Sequence, residues 1–255
     1  MNKKNLIISA VGDKSLHKEW INSRSVYDLI LIYYGNNHDI FSDYKKDALI
    51  CIKQAGQKFH LIKTFIKDHF DLVSKYEYVW LPDDDISISV DNLNLMFHTA
   101  KQYNLYICQP SVISSNGKVD HNITRPRKGA KLRFTNFVEV MMPLFDVAIL
   151  LSLYDEFDLS ESGWGLDALW PYRLNYPRNR LAVIDEISAL HTKPGGSDYA
   201  RSKKKPVTEL KSILRKYDIS FKPKNYLFVM KDNSTKLPWF NKLFCLFNKK
   251  NRRAS

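Results

Sequence analysis

Short apolar runs, each stopped by a polar turn, alternate along the chain with stretches in which apolar residues recur every three or four positions. Asn5 to Val11 is one such run, closed by Gly12-Asp13. Its nearly unbroken apolar character predicts a strand covered on both faces. Tyr27 to Tyr34 is a second run, stopped by Gly35-Asn36-Asn37. Tyr76 to Leu81 is a third, ending at Pro82, and Leu105 to Val112 a fourth. Leu181 to Asp185 reads as a later strand. Between them, Lys58 to His69 carries Phe59, Ile62, Phe65 and Ile66 at helical spacing, and Val90 to Tyr103 carries Leu93, Phe97 and Ala100 on one side. Ala168 to Leu174 reads as a further helix. The alternation predicts an α/β protein with a mostly parallel, doubly wound central sheet flanked by helices. Ligands gather at the carboxyl ends of the strands of such sheets. The polar, basic stretch Ser114 to Arg133 reads as a loop. Gly195-Gly196-Ser197 through Lys203-Lys204-Lys205-Pro206 separates a body, residues 1–200, from a C-terminal extension, residues 201–255.

Composition narrows the class. With 44% hydrophobic and 26% charged residues, 255 positions suit a globular protein with a large core. Three widely spaced cysteines, with no Cys-x-x-Cys pair, argue against a zinc ribbon or a disulfide framework and for a reducing compartment. Leu6-Ile7-Ile8 is too short for a signal-peptide core, and no apolar stretch reaches the length of about 18 residues that spans a membrane. A cytoplasmic location follows as the expectation.

The net charge of +12 is unevenly distributed. Residues 201–255 hold 16 Lys and Arg against 3 Asp and Glu, so the preceding body is close to neutral. That argues against a nucleic-acid binder, whose basic residues would mark its working face. In the extension, Trp239, Phe240, Leu243, Phe244 and Phe247 fall on one helical face beside Lys249, Lys250, Arg252 and Arg253. This pattern suits peripheral contact with the inner face of a membrane, or equally a helix docked on the body.

Three constellations carry chemistry. Asp83-Asp84-Asp85 follows the third strand directly after Pro82. Three adjacent carboxylates repel one another, and a hard divalent ion bridging a diphosphate would relieve that repulsion; a solvated turn with Asp85 capping a helix is the plainer alternative. Glu161-Ser162-Gly163-Trp164-Gly165-Leu166-Asp167 sets a carboxylate at a helix start, where the helix dipole favours the anion. Asp167 there could take a proton from a hydroxyl nucleophile. Trp164 could offer a flat apolar face to a sugar ring, or sit in the core. His191, in a polar turn after the Leu181 strand, could complete a metal shell begun by carboxylates.

Phe137-Val138-Glu139-Val140-Met141-Met142-Pro143-Leu144-Phe145, Gly163-Trp164-Gly165-Leu166-Asp167, Val183-Ile184-Asp185 and His191 together resemble a plant and bacterial family catalogued as domain of unknown function 707. Its members look like glycosyltransferases of the GT-A fold. The resemblance implies an Asp-x-Asp motif at Asp83 and Asp85, with Asp84 between them, holding Mn²⁺ or Mg²⁺ against a nucleotide diphosphate. It implies His191 as a further metal ligand and Asp167 as the base of an inverting transfer. It also implies donor contacts at Val11, Gly12 and Asp13 after the first strand. Lys193, with Arg125, Arg127 and Lys128, is a candidate for pairing with the diphosphate. Glu161, Trp164 and Gly165 fall on the acceptor side, and Leu166 stands where many inverting members carry a glutamate.

The reading is therefore a metal-dependent glycosyltransferase. It would use a nucleotide-sugar donor, UDP favoured, and a glycan or lipid-linked acceptor of bacterial surface polysaccharide synthesis. Two other readings use the same residues: a metal-dependent nucleic-acid enzyme gripping phosphates with the basic extension, and a non-catalytic scaffold of the same fold.

Overall fold

The computed structural model describes residues 3–115, 117–193 and 205–238. In chain order the strands and helices are β1 (Asn5–Val11), β2 (Tyr27–Tyr33), α1 (His38–Tyr44), β3 (Ile50–Lys53), α2 (Lys58–Asp68), α3 (Phe70–Val73), β4 (Tyr78–Trp80), β5 (Ile86–Ser87), α4 (Val90–Gln102), β6 (Ile107–Ser114), β7 (Ala130–Thr135), β8 (Leu144–Asp146), α5 (Val147–Leu153), α6 (Leu166–Arg173), β9 (Leu181–His191), α7 (Pro206–Lys216), β10 (Asn225–Met230) and β11 (Thr235–Lys236). The strands form a single sheet in the order β11-β10-β7-β9-β6-β8-β4-β1-β2-β3, with β5 attached to β9.

The apolar strands are explained by helices on both sides. Side chains alternate along a strand. Ile7 and Val11 of β1, with Leu29, Leu31 and Tyr33 of β2, pack into one core with Leu93, Met96, Phe97 and Ala100 of α4. Leu6, Ile8 and Ala10, with Ile30 and Ile32, pack into the other, against Phe59, Ile62, Phe65 and Ile66 of α2 and Leu166, Leu169 and Trp170 of α6. Caps mark several of the helix starts. Ser89 accepts from the Asn92 N–H at α4, and Asp146 accepts from the Ala148 and Ile149 N–H groups at α5.

The sheet is mixed rather than mostly parallel. Parallel pairing joins β1 to β2 and β4, β2 to β3, and β6 to β9. β8 enters antiparallel between β4 and β6, and β7 and β10 extend the far edge antiparallel. The stretch expected as a loop through Arg133 becomes a strand from Ala130. Arg133 is fully buried, ion-paired with buried Asp185, and donates to the carbonyls of Ile123 and Arg125. That pair ties the preceding loop to the sheet, because an unpaired charge there would be costly. β9 also runs on past Asp185 to His191, through a register shift opposite Pro110 and Ser111.

The division at residue 200 does not separate two bodies over the described residues. Helix α7 packs Ile213 into the same core as α2 and α6, and β10 pairs with β7 in the one sheet. Trp239 and the aromatic and basic residues beyond it lie outside the described residues. Among those described, no helix is long and apolar enough to cross a membrane.

Candidate active site

β4 ends at Trp80, and the chain turns through Pro82 into the three aspartates before β5. Each carboxylate leaves the turn in a different direction. Asp83 accepts from Lys58 Nζ at 2.7 Å, and the same ammonium donates to the carbonyls of Val140 and Met141. Asp84 Oδ2 accepts from the Gly12 N–H at 2.8 Å and from the Tyr34 hydroxyl at 2.9 Å, while its Oδ1 lies 3.3 Å from Lys193 Nζ. Asp85 Oδ2 lies 3.2 Å from His191 Nε2, and its Oδ1 is buried with no hydrogen-bond partner. Spreading the charges over separate partners is how the run is accommodated. Even so, burial, opposed by Lys58 and reinforced by the other two aspartates, pushes Asp83 up to about 6.

Strand pairing brings His191 to Asp85. Ile86 of β5 sits opposite His191 of β9, and Thr192 donates from both its N–H and its hydroxyl to the Asp85 carbonyl. The histidine is thus on a strand end and not in the free polar turn expected from sequence. Burial works against charge on its ring, but the bond to Asp85 and the fields of Asp83 and Asp120 outweigh it and raise its pKa.

The Gly163-Trp164-Gly165 segment leads into α6. Gly163 has φ +83° and Gly165 φ +96°, a left-handed conformation that side chains resist. A Cβ on Gly163 would lie 2.7 Å from the Phe59 ring, and one on Gly165 3.1 Å from the Leu210 Cα. Both glycines therefore let the segment lie flat on α2 and α7. Asp167, in the first turn of α6, is pushed up to about 7 by burial, against its own N–H and those of Gly165 and Ala168. Leu166 is fully buried in the core. Glu209 of α7 holds the approach to this segment. Its carboxylate accepts from the Ser160 and Ser162 hydroxyls and from the Glu161 and Ser162 N–H groups. Burial opposes that charge, but these donors lower its pKa.

Asp83, Asp84, Asp85, His191 and Asp167 line one cleft of about 440 Å³, together with Glu161, Trp164 and Gly165. Glu161 is exposed, Trp164 half-buried and Gly165 buried. A second cavity of about 450 Å³ adjoins it at the ends of β1 and β2, lined by Gly12, Asp13, Lys14, Tyr34, Asp84 and Lys193 among others. Val11 is different: its side chain is in the core, so only its backbone faces that end of the sheet. Arg125, Arg127 and Lys128 are exposed and line neither cavity.

The carboxylates do not converge as a set. Among the described residues, no group of three His, Cys, Asp or Glu side chains is arranged to hold a metal ion. Asp83 is committed to Lys58, which leaves Asp85 and His191 as the pair that could share a cation. The buried, unpartnered Asp85 Oδ1 fits that use, since a buried carboxylate oxygen normally has a partner. A hard cation held by one or two protein groups takes its other ligands from phosphate and water.

The spacing patterns did not single out Lys58, Tyr34, Glu139 or Glu209. Glu139 is the most legible of them, a carboxylate inside an apolar run. It is 5% exposed, hydrogen-bonded to the Thr124 hydroxyl, and lines the same cleft. Burial, against Thr124 and with Asp120 and Asp167 adding, pushes it up to about 8.

The fold has solved counterparts. The 1–349 portion of S. aureus TarS in complex with UDP-GlcNAc is 14% identical, with a TM-score of 0.56 over 83% of this chain and 64% of that one. TarS 1–349 alone gives 13% and 0.54 over 85% and 72%. GalNAc-T7 with UDP, GalNAc and Mn²⁺ gives 9% and 0.54 over 84% and 48%. The chain thus spans less than two thirds of the TarS portion first named. At these identities the likeness shows the fold: the GT-A-like α/β architecture of glycosyltransferases. No curated protein matches the chain. A family described as "Protein of unknown function (DUF707)" matches residues 1–135. The match takes in the three aspartates and stops short of Asp167 and His191, and since it covers more than half of the sequence, the chain belongs to the DUF707 family.

Proposed function

We propose that the protein is a metal-dependent, inverting glycosyltransferase that uses a nucleotide-sugar donor. The observation that carries this reading is a single cleft in a GT-A-like fold, lined at one side by the Asp85–His191 pair and at another by Asp167 at the start of α6. The nucleoside would occupy the cavity at the ends of β1 and β2, against Gly12, Asp13 and the Val11 backbone. Asp84 orders that wall through Gly12 and Tyr34, and Lys193 faces the diphosphate. Asp85 and His191 would hold Mn²⁺ or Mg²⁺, with Asp83 kept out of the shell by Lys58. A cation held by these residues would supply positive charge to offset the negative charge developing on the departing diphosphate.

Asp167 removes the proton of the acceptor hydroxyl. As that oxygen bonds to the anomeric carbon, the carbon–phosphate oxygen bond breaks, the nucleoside diphosphate leaves, and the proton stays on the carboxylate. A base with a pKa close to neutral pH is suited to this task. Glu161, Trp164 and Gly165 form the acceptor side, Trp164 offering its ring to a sugar face. UDP-GlcNAc and UDP bound to TarS, and UDP with Mn²⁺ bound to GalNAc-T7, support a UDP-sugar and Mn²⁺ as first choices. A glycan or lipid-linked acceptor of surface polysaccharide suits an enzyme whose basic, aromatic C-terminal residues touch the inner membrane face.

The test is a panel of UDP- and GDP-sugars assayed for nucleotide release and for thermal stabilisation, with and without Mn²⁺. Stabilisation and slow hydrolysis with one donor, dependent on Mn²⁺, is the expected result. No response to any nucleoside diphosphate would remove the reading, and a response to DNA alone would replace it.

A further inference from the structure

Glu139 is the buried titratable group in the cleft to which the transfer itself gives no task. It follows β7, in the segment that leads back to β8, and three contacts fix it. Its N–H donates to the side-chain oxygen of buried Gln109, its carboxylate is bonded to the Thr124 hydroxyl, and Thr124 is 2.8 Å from the His121 carbonyl. It is 5% exposed and lines the same cleft as Asp167 and the Asp85–His191 pair. That cleft holds both the group proposed to take the acceptor proton and the pair proposed to hold the cation. In a one-step displacement the transferred sugar must pass between those two.

A carboxyl is expensive to bury and offers more hydrogen-bonding sites than one threonine can use. A sugar ring presents neighbouring hydroxyls that both donate and accept, and a rigidly held carboxyl is suited to reading a pair of them. We infer that Glu139 is the residue that recognises the transferred sugar of the donor, through hydroxyls of its ring. The inference rests on the transferase reading above and adds to it the group that selects the sugar. A role confined to holding the 122–124 turn is the competing explanation, and it makes a different prediction.

The experiment compares UDP with UDP-GlcNAc, UDP-glucose and UDP-galactose by calorimetric titration of the full chain in Mn²⁺. Glu139→Leu keeps the bulk and removes the carboxyl, and Thr124→Val removes the turn contact while leaving the carboxyl in place. In Glu139→Leu the Kd for UDP should move less than about twofold, while that for the preferred UDP-sugar weakens about tenfold or more. Thr124→Val, which loosens the carboxyl without removing it, should shift the ratio of the two by less than Glu139→Leu does. Equal loss of UDP and UDP-sugar in Glu139→Leu overturns the inference, as does an unchanged ratio or the same shift in Thr124→Val. If Glu139→Leu does not fold, Glu139→Asp, which withdraws the carboxyl by one methylene, is judged on the same ratio. Failure of the unaltered protein to bind any nucleoside diphosphate would instead remove the transferase reading itself.

Discussion

At Asp167, burial and the start of α6 act in opposite directions, and burial prevails to give a pKa of about 7. An ordinary carboxylate in the unfolded chain ionises near pH 4. The protonated form is thus favoured by folding, so the stabilising contribution is full below about pH 4 and is lost as pH rises through about 7. Asp167→Asn should therefore melt higher than the parent protein at pH 8 and equally at pH 3, as read by thermal unfolding. The same variant should lose transfer while binding donor within about twofold, and retained turnover would pass the role to another group. The rising limb of kcat/KM against pH should fall near 7, reporting this carboxyl. Asp85 is held differently, with one oxygen on His191 and one on nothing. Asp85→Ala should abolish the Mn²⁺-dependent part of nucleotide stabilisation, and melting curves with and without the ion check it.

Among the elements, α7 lines the cleft with Leu210 and Leu214. Glu209 reaches from it to the loop before α6 and receives two hydroxyls and two backbone N–H groups. Its neighbours Leu210 and Ile213 lie against Gly165. Glu209→Gln replaces two acceptor oxygens with one and adds an amide donor among donors. Leaving such buried groups unmatched costs about 1–3 kcal/mol. The variant should fold with a lowered melting temperature and lose kcat more than donor affinity, because the loop it loosens presents Asp167 and not the nucleoside cavity. Equal losses in both would assign Glu209 to general stability. A similar economy of contacts governs β5. Two residues long, it pairs with β9 and in doing so sets Asp85 beside His191.

For the whole molecule, the consequence is that the described part of the extension shares the core and sheet of residues 1–200. Removing residues 201–255 would strip α7 from α6 and expose the β7 edge that β10 covers. That truncation should not give a cooperatively folded protein. Removing only residues 237–255 keeps α7, β10 and β11. It should leave the melting transition in place while reducing sedimentation with vesicles of anionic lipid, since it deletes the aromatic and basic cluster. Unchanged sedimentation would return that cluster to a role within the protein.

The strands β1, β2 and β4, the helices α2 and α4, and the positions of the aspartate run and the Gly-Trp-Gly segment were readable from sequence. Each is a local pattern, set by side-chain alternation, helical spacing or turn residues within about ten positions. Residue types also suggested the chemistry proposed, because adjacent carboxylates and glycine pairs are unusual enough to need a reason. What the tertiary structure decided was which partner each carboxylate meets. Asp83 turns to Lys58, Asp84 to Gly12 and Lys193, and Asp85 to His191, a separation that depends on partners 25 to 109 residues away. Arg133, read as part of a loop, became a buried strand residue because Asp185 waits beneath it. Glu209 carries no local signature and Glu139 shows only as a carboxylate inside an apolar run, since a buried carboxylate is explained only by the donors that surround it, and those come from other elements.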